Sequence, residues 1–191
     1  MGTYLEIGTR CLIGTVFLVS SLSKSAGRRA FEEFVGAVRA MPLPLGPLPT
    51  GPVAGGVLLA ESAVAGLLLA PSPEAAVVSG FVLASGLLAV FTSGILLAVR
   101  RGSATPCRCF GASATPMGVI HALRNGVLLT ASLTGIWAVA ALHPAAADPR
   151  ATVAAGFTGL VTAGLVAAWD AIAELFRPVT APRRPRRPDS P

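Results

Sequence analysis

The segment "TPCRCFG", residues 105–111, holds two of the three cysteines of this chain, with one arginine between them. Two thiols in C-x-C spacing close a disulfide only where the backbone bends, because an extended strand directs the two side chains to opposite faces. Pro106 and Gly111 favour such a bend. A ring this small is strained and therefore easily reduced, so Cys107 and Cys109 suit thiol–disulfide exchange better than structural cross-linking.

Arg108 lies between the two cysteines, and its positive charge favours the thiolate that attacks a disulfide. The alternative interpretations are two ordinary loop thiols or half of a metal site. A tetrahedral zinc site would need more ligands, for which the candidates are Cys11 and His121. We predict no metal site, since copper bound by two thiolates has no further support and Cys11 is better explained as a packing residue.

Glu61 lies in the middle of an apolar stretch, where a carboxylate is costly and implies either a partner or a function. The sequence suggests Arg10 and Arg124 as partners, because both lie inside apolar stretches. Asn125 follows Arg124 and is able to hydrogen-bond a neighbouring helix. We therefore predict a buried polar centre of Glu61 and Arg124, in which Glu61 is either a structural group or a proton or substrate site.

The overall composition is that of a membrane protein. Hydrophobic residues make up 53% of the chain and charged residues 13%, and the mean hydropathy is +0.70. The net charge is +6, but the basic residues lie between apolar runs and are not interleaved with aromatic residues, so we predict no nucleic-acid partner. The predicted fold class is all-α, a polytopic transmembrane helical bundle.

Five apolar stretches predict five spans, at Tyr4–Ser23, Val53–Ala70, Ala75–Val99, Pro116–Leu142 and Thr152–Trp169. Between the first two, "RRAFEEFVGAVRAM" has apolar residues at helical spacing and predicts an amphipathic interfacial helix. The domain prediction is one transmembrane domain over residues 1–176. The proline- and arginine-rich tail, residues 177–191, is predicted to be disordered.

Lysine and arginine are concentrated in the first loop, the third loop and the tail. The positive-inside rule therefore predicts a multi-pass cell-membrane protein with its N-terminus outside and with the cysteine loop and C-terminus in the cytoplasm. The tail arginines are expected to bind anionic lipid head groups.

Four segments carry a family resemblance: "GTRCLIGTVFLVSSLSK", "LLAESAVAGLLLA", "PCRCFGAS" and "RNGVLL". Together they resemble the MauE family of methylamine utilisation membrane proteins, within the broader DoxX-like group. The resemblance covers roughly the first 140 residues, and its most specific part is C-x-C-F-G followed by R-N about a dozen residues later.

The resemblance implies a four-helix DoxX-like core, here followed by one C-terminal span. It also implies a role in maturation of the methylamine dehydrogenase small subunit, a disulfide-rich exported protein, together with a thioredoxin-like partner. The family motif falls on Cys107, Cys109, Phe110 and Gly111. The further matching positions, which are expected to be buried polar residues, are Lys24, Glu61, Arg124 and Asn125.

The leading hypothesis is a membrane protein that performs thiol–disulfide exchange or takes part in the maturation of a partner protein. The sequence does not decide whether the protein is an enzyme, in which case it would be a membrane thiol–disulfide oxidoreductase. The alternatives are a non-catalytic assembly module and a small proton-coupled transporter that uses Glu61. No cofactor is identified, and no residue marks a site for a quinone as electron acceptor. Maturation of an exported client calls for thiols outside, whereas the arginine count places the cysteine loop inside.

Overall fold

The structure, a computed structural model, describes residues 1–40, 49–101, 119–142 and 148–169. These ranges form only helices: α1 Gly2–Ser25, α2 Arg28–Ala40, α3 Thr50–Leu69, α4 Glu74–Arg100, α5 Val119–Ala141 and α6 Pro149–Ala167. All but α2 are long and apolar enough to cross a membrane. The prediction of an all-α bundle with five spans is confirmed.

The start of α6 shows how local chemistry sets a helix boundary. The predicted span begins at Thr152, but the helix begins at Pro149. Asp148 is the N-cap, and its side chain accepts a hydrogen bond from the backbone N–H of Arg150. Proline fits the first turn because it has no N–H to leave unpaired. The cap therefore adds a turn that hydropathy alone does not reveal.

Several predictions fall outside the described residues. These are the start of the fourth span at Pro116, the cysteine loop with its motif, and the disordered tail of residues 177–191.

Consecutive spans run antiparallel, and α1 lies at the centre of the bundle. Arg10 near the start of α1 hydrogen-bonds the carbonyl of Leu68 at the end of α3. Ser85 of α4 donates to Ser132 of α5 at 3.0 Å, which ties that pair together. Helix α1 packs against α2, α3, α5 and α6, whereas α4 packs against α3 and α5. The apolar core consists of Ile13, Val16, Phe17, Val64, Leu68, Val77, Phe81, Ala84, Leu88, Leu128 and Ala163.

Helix α2 is amphipathic, as its sequence predicts. Phe34 and Val38 are buried and pack against Ala54 of α3. On the opposite face, Arg28 and Glu32 form an ion pair at 3.0 Å, with side chains 93% and 64% exposed. The helix is therefore attached to the bundle by its apolar face and carries its charges outward.

Helix α6 packs against α1 through a glycine. A Cβ atom added at Gly159 would meet the backbone oxygen of Gly8 and, at 2.9 Å, the Cβ of Cys11. The two backbones approach this closely because neither glycine has a side chain, a packing mode typical of membrane helices. Gly164, farther along α6, has no atom within 4 Å of an added Cβ.

We expect Gly159→Leu to lower the free energy of unfolding by about 1 to 3 kcal/mol, because the new side chain forces α6 away from α1. The matched control is Gly164→Leu on the same helix, which should change it by less than about 0.5 kcal/mol. Unfolding of the purified protein by SDS in mixed micelles measures both. Equal effects of the two substitutions would contradict the packing described for α6.

Candidate functional site: a buried polar layer

The core of the bundle changes from apolar to polar at one level. Phe17, Val64 and Leu128 belong to the apolar cluster, and one helical turn beyond each of them the buried residues are polar. The exposed fraction is 6% or less for each of these polar residues, which we call the polar layer: Ser20, Lys24, Glu61, His121, Arg124 and Asn125. Three helices, α1, α3 and α5, contribute to it.

The polar layer lies at the end of the bundle that includes the end of α1 and the start of α5. Lys24 is next to the last residue of α1, and His121 lies in the first turn of α5. Since the spans alternate in direction, α4 also ends here, at Arg100. The α4–α5 connection that contains Cys107 and Cys109 therefore joins two helices at the end of the bundle where the polar layer lies.

An ion pair between Lys24 and Glu61 forms the centre of the layer. The Lys24 Nζ donates hydrogen bonds to both carboxylate oxygens of Glu61, at 2.7 and 2.8 Å. It also donates to the Ser20 hydroxyl at 2.6 Å, and that hydroxyl donates to Glu61 Oε1 at 3.3 Å. Removing two charges from water costs several kcal/mol for each ion, and close contact with additional hydrogen bonds offsets that cost.

The position of Lys24 in α1 explains how its ammonium reaches Glu61. Side chains of a helix lean toward its N-terminus, so Lys24 projects back over Ser20, four residues earlier. The ammonium is thereby placed deeper in the bundle than the Cα atom that carries it. This inward lean brings a residue from the end of α1 to a carboxylate in the middle of α3.

Arg10, one of the two arginines that the sequence suggested as partners of Glu61, lies at the opposite end of the bundle. There it donates to the carbonyls of Leu68 and Ala70 and contacts Glu6, so the predicted pairing with Arg10 is wrong. Arg124 is buried in the same polar layer as Glu61, and Lys24 and Ser20 donate hydrogen bonds to the Glu61 carboxylate. The pairing of Glu61 with Arg124 stays a prediction.

Helix α2 covers the ion pair on one side. The centroid of the Phe34 ring lies 4.9 Å from Lys24 Nζ, within the range of a cation–π interaction. Such a contact is worth about 2 kcal/mol when the cation is desolvated, as Lys24 is with 3% exposure. The short amphipathic helix therefore stabilises the buried charge as well as covering it.

The side-chain amide of Asn125 differs from the hydroxyl of Ser132 on the same helix. It is 0% exposed, and among the described residues neither its Oδ1 nor its Nδ2 has a hydrogen-bond partner. Ser132, two turns farther along α5, is equally buried but donates to the carbonyl of Phe81 at 3.0 Å. The layer thus contains one amide whose donor and acceptor are both unused by the described protein groups.

The described part of the chain brings no three His, Cys, Asp or Glu side chains together in a group that could hold a metal. Cys11 contacts α6 near Gly156 and Gly159, whereas His121 is buried in the polar layer. The two residues considered as additional zinc ligands therefore lie in different parts of the bundle.

Sequence reasoning from the residues alone did not identify Lys24 as the partner of Glu61. One signal was present, because Lys24 is the only lysine of the chain and follows Ser20 at the i, i+4 spacing of a shared helix face. The resemblance to the family placed Lys24 among the buried polar residues, but its position at the end of the first span gave no indication that its partner is Glu61.

We expect Lys24→Met and Glu61→Gln each to lower the free energy of unfolding by about 3 to 5 kcal/mol, because each leaves one buried charge without its partner. The double variant should lie within about 2 kcal/mol of the unmodified protein, since it removes both charges. A double-mutant cycle of SDS unfolding measures the coupling. Glu32→Gln, which breaks an exposed pair, is the control and should cost under about 0.5 kcal/mol. Additive losses in the double variant would contradict the pairing.

The comparisons with known proteins identify the family of the chain. No curated protein and no solved structure matches the chain. The family model described as "Methylamine utilisation protein MauE" matches residues 2–138. The match includes the whole polar layer and the segment with Cys107 and Cys109, and it ends within α5, so that α6 lies beyond it. With most of its length matched and five helices that can cross a membrane, the chain belongs to the MauE family of methylamine utilisation proteins and is a multi-pass membrane protein.

Proposed function

We propose that this MauE family protein performs thiol–disulfide exchange with a partner protein through Cys107 and Cys109. The observation that carries the proposal is the position of the cysteine-bearing connection in the fold. It joins α4 to α5 at the end of the bundle where the core is polar and where a charged pair is held in fixed geometry. Thiol exchange involves charged thiolates, and a polar end of a membrane bundle is the end at which they are least costly.

The proposed exchange is an ordinary two-step reaction. A thiolate of one partner attacks the disulfide of the other and forms a mixed disulfide, and the second thiol of the attacking pair then displaces the remaining sulfur. One disulfide breaks and one forms, and two electrons and two protons pass between the two cysteine pairs. When the Cys107–Cys109 disulfide is the oxidant, it is reduced to a dithiol and the dithiol of the partner is oxidised to a disulfide.

The residues around the two cysteines have supporting roles in this proposal. Arg108 favours the thiolate by its charge, while Phe110 and Gly111 shape the loop. The Lys24–Glu61 pair connects α1 to α3 and so holds together the end of the bundle from which the loop extends.

The partner that we propose depends on the side of the membrane. The distribution of arginines places the loop in the cytoplasm, where a thioredoxin-like carrier of thiols is the fitting partner. The basic tail, which lies outside the described residues, would contact anionic lipid head groups on the same side.

The buried carboxylate of Glu61 favours one alternative, a small proton-coupled transporter. Intramembrane acids are often proton sites, and Glu61 is 0% exposed. Loss of transport in Glu61→Gln with retention in variants without the two cysteines would favour that function. A non-catalytic assembly module would instead keep its partner after both thiols are removed.

We expect Cys107→Ser or Cys109→Ser, each with one thiol remaining, to accumulate a mixed disulfide with the partner, because the second thiol that resolves it is missing. Acid quenching, alkylation and mass spectrometry of membranes measure the product. Cys11→Ser is the control, and it should leave the Cys107–Cys109 pair able to cycle. If neither single variant ever forms a mixed disulfide, and the double variant supports normal function, the proposal fails.

We also expect a membrane-impermeant maleimide to label Cys107 and Cys109 in inverted vesicles and not in intact cells, because the arginine-rich loops and tail should be cytoplasmic. A cysteine introduced at Ala145, in the link between α5 and α6, serves as the control with the opposite pattern. Labelling of Cys107 and Cys109 from outside intact cells would overturn the proposed orientation and point to an extracytoplasmic client.

A further inference from the structure

The side-chain amide of Asn125 is the most unusual polar group of the described core. A side-chain amide inside a membrane bundle has no bulk water to hydrogen-bond. Leaving both its N–H donor and its carbonyl acceptor without a hydrogen bond is therefore unfavourable. On the same helix, Ser132 shows how the fold satisfies a buried polar group with protein partners. Ser132 is also 0% exposed, and it both donates to Phe81 and accepts from Ser85. Asn125 has neither kind of partner among the described residues.

The position of Asn125 on α5 directs its side chain toward the polar layer. It shares the buried stripe of Leu128 and Ser132, and Leu128 packs in the cluster with Phe17 and Val64. One turn from that cluster toward the loop end lie Ser20 of α1 and Glu61 of α3, and the ammonium of Lys24 reaches this level from the next turn of α1. The amide therefore lies at the level of the ion pair, on the inner side of the bundle.

We propose that the polar layer binds water, which bridges the Asn125 amide to the Lys24–Glu61 pair and gives protons an internal route to that pair. The ligand of Asn125 must accept a hydrogen bond from Nδ2 and donate one to Oδ1, and water does both. Buried waters typically make about three hydrogen bonds to polar groups that the protein leaves unsatisfied.

The groups that face this water come from several helices. Helix α1 supplies Lys24, α3 supplies Glu61, and α5 supplies His121 and Arg124, which are the other buried titratable or charged groups of the described residues. On this level α4 presents apolar residues, including Phe91 and Ile95, and α2 presents the Phe34 ring. A hydrogen-bonded water among these groups lets the Lys24 ammonium exchange its protons although the side chain is 3% exposed.

The composition of the chain makes this proposal directly measurable. Asn125 is the only asparagine, glutamine is absent, and Lys24 is the only lysine. Cell-free synthesis with ¹⁵N-labelled asparagine and lysine therefore gives one side-chain amide signal and one ammonium signal by solid-state NMR. The sample is the full-length protein in lipid bilayers, with no cysteine chemistry required, so the result is independent of the proposed thiol exchange.

We expect magnetisation to pass from water to the Asn125 amide as readily as to exposed backbone amides. In D₂O, the Lys24 ammonium should lose its protons faster in the unmodified protein than in Asn125→Leu, in which the bridge is removed. Ser132→Ala is the matched control, a buried polar residue on the same stripe whose partners are protein groups, and it should leave the exchange of Lys24 unchanged.

The proposal is overturned if the Asn125 amide of the unmodified protein receives no more magnetisation from water than the buried backbone amides of α5 do. It is also overturned if Asn125→Leu leaves the proton exchange of Lys24 unchanged while the ammonium signal shows that the ion pair is intact. The first measurement needs no variant, so it decides the question even if Asn125→Leu fails to fold.

Discussion

The buried ion pair of Lys24 and Glu61 is the interaction on which the rest of this structure depends. Two charges inside a membrane bundle are tolerated only when their hydrogen-bonding groups are satisfied. Here both carboxylate oxygens of Glu61 accept hydrogen bonds from the Lys24 ammonium. The Ser20 hydroxyl and the Phe34 ring complete the environment of the cation. The requirement links three helices, because α1, α2 and α3 must keep the register in which these groups meet.

This requirement also organises the core along its length. The far end of the bundle is packed mainly by aliphatic and aromatic side chains and by close glycine contacts, and Arg10 adds hydrogen bonds to the last carbonyls of α3. The end with the polar layer is specified by hydrogen bonds, which tolerate fewer arrangements. The cysteine-bearing connection belongs to this second end, so its attachment points rest on the most narrowly defined part of the fold. Rigid support of this kind is what the proposed exchange requires, because its two thiols must meet a partner in a reproducible position.

The extent of the family match separates a shared part of the molecule from an addition. The matched residues 2–138 contain every member of the polar layer, the ion pair and the two cysteines of the loop. Helix α6 lies beyond the match and is attached to the outer side of α1, where Gly159 allows close contact. It contributes nothing to the polar layer among its described residues. The last span therefore adds to the membrane-embedded body without altering the chemistry of its centre.

The sequence by itself determined the five spans, the amphipathic helix α2 and the expectation that Glu61 must be satisfied inside the bundle. Each of these follows from local hydropathy, periodicity or the cost of a charge in hydrocarbon. Only the tertiary structure decided that Lys24 is the partner of Glu61 and that Arg10 is not. The choice depends on which helices are neighbours, on their relative height and on the lean of side chains toward a helix N-terminus, and none of these is a property of a single segment. The same holds for Asn125. An asparagine is expected to form hydrogen bonds wherever it is buried, but only the packed bundle shows that the described protein groups do not supply them.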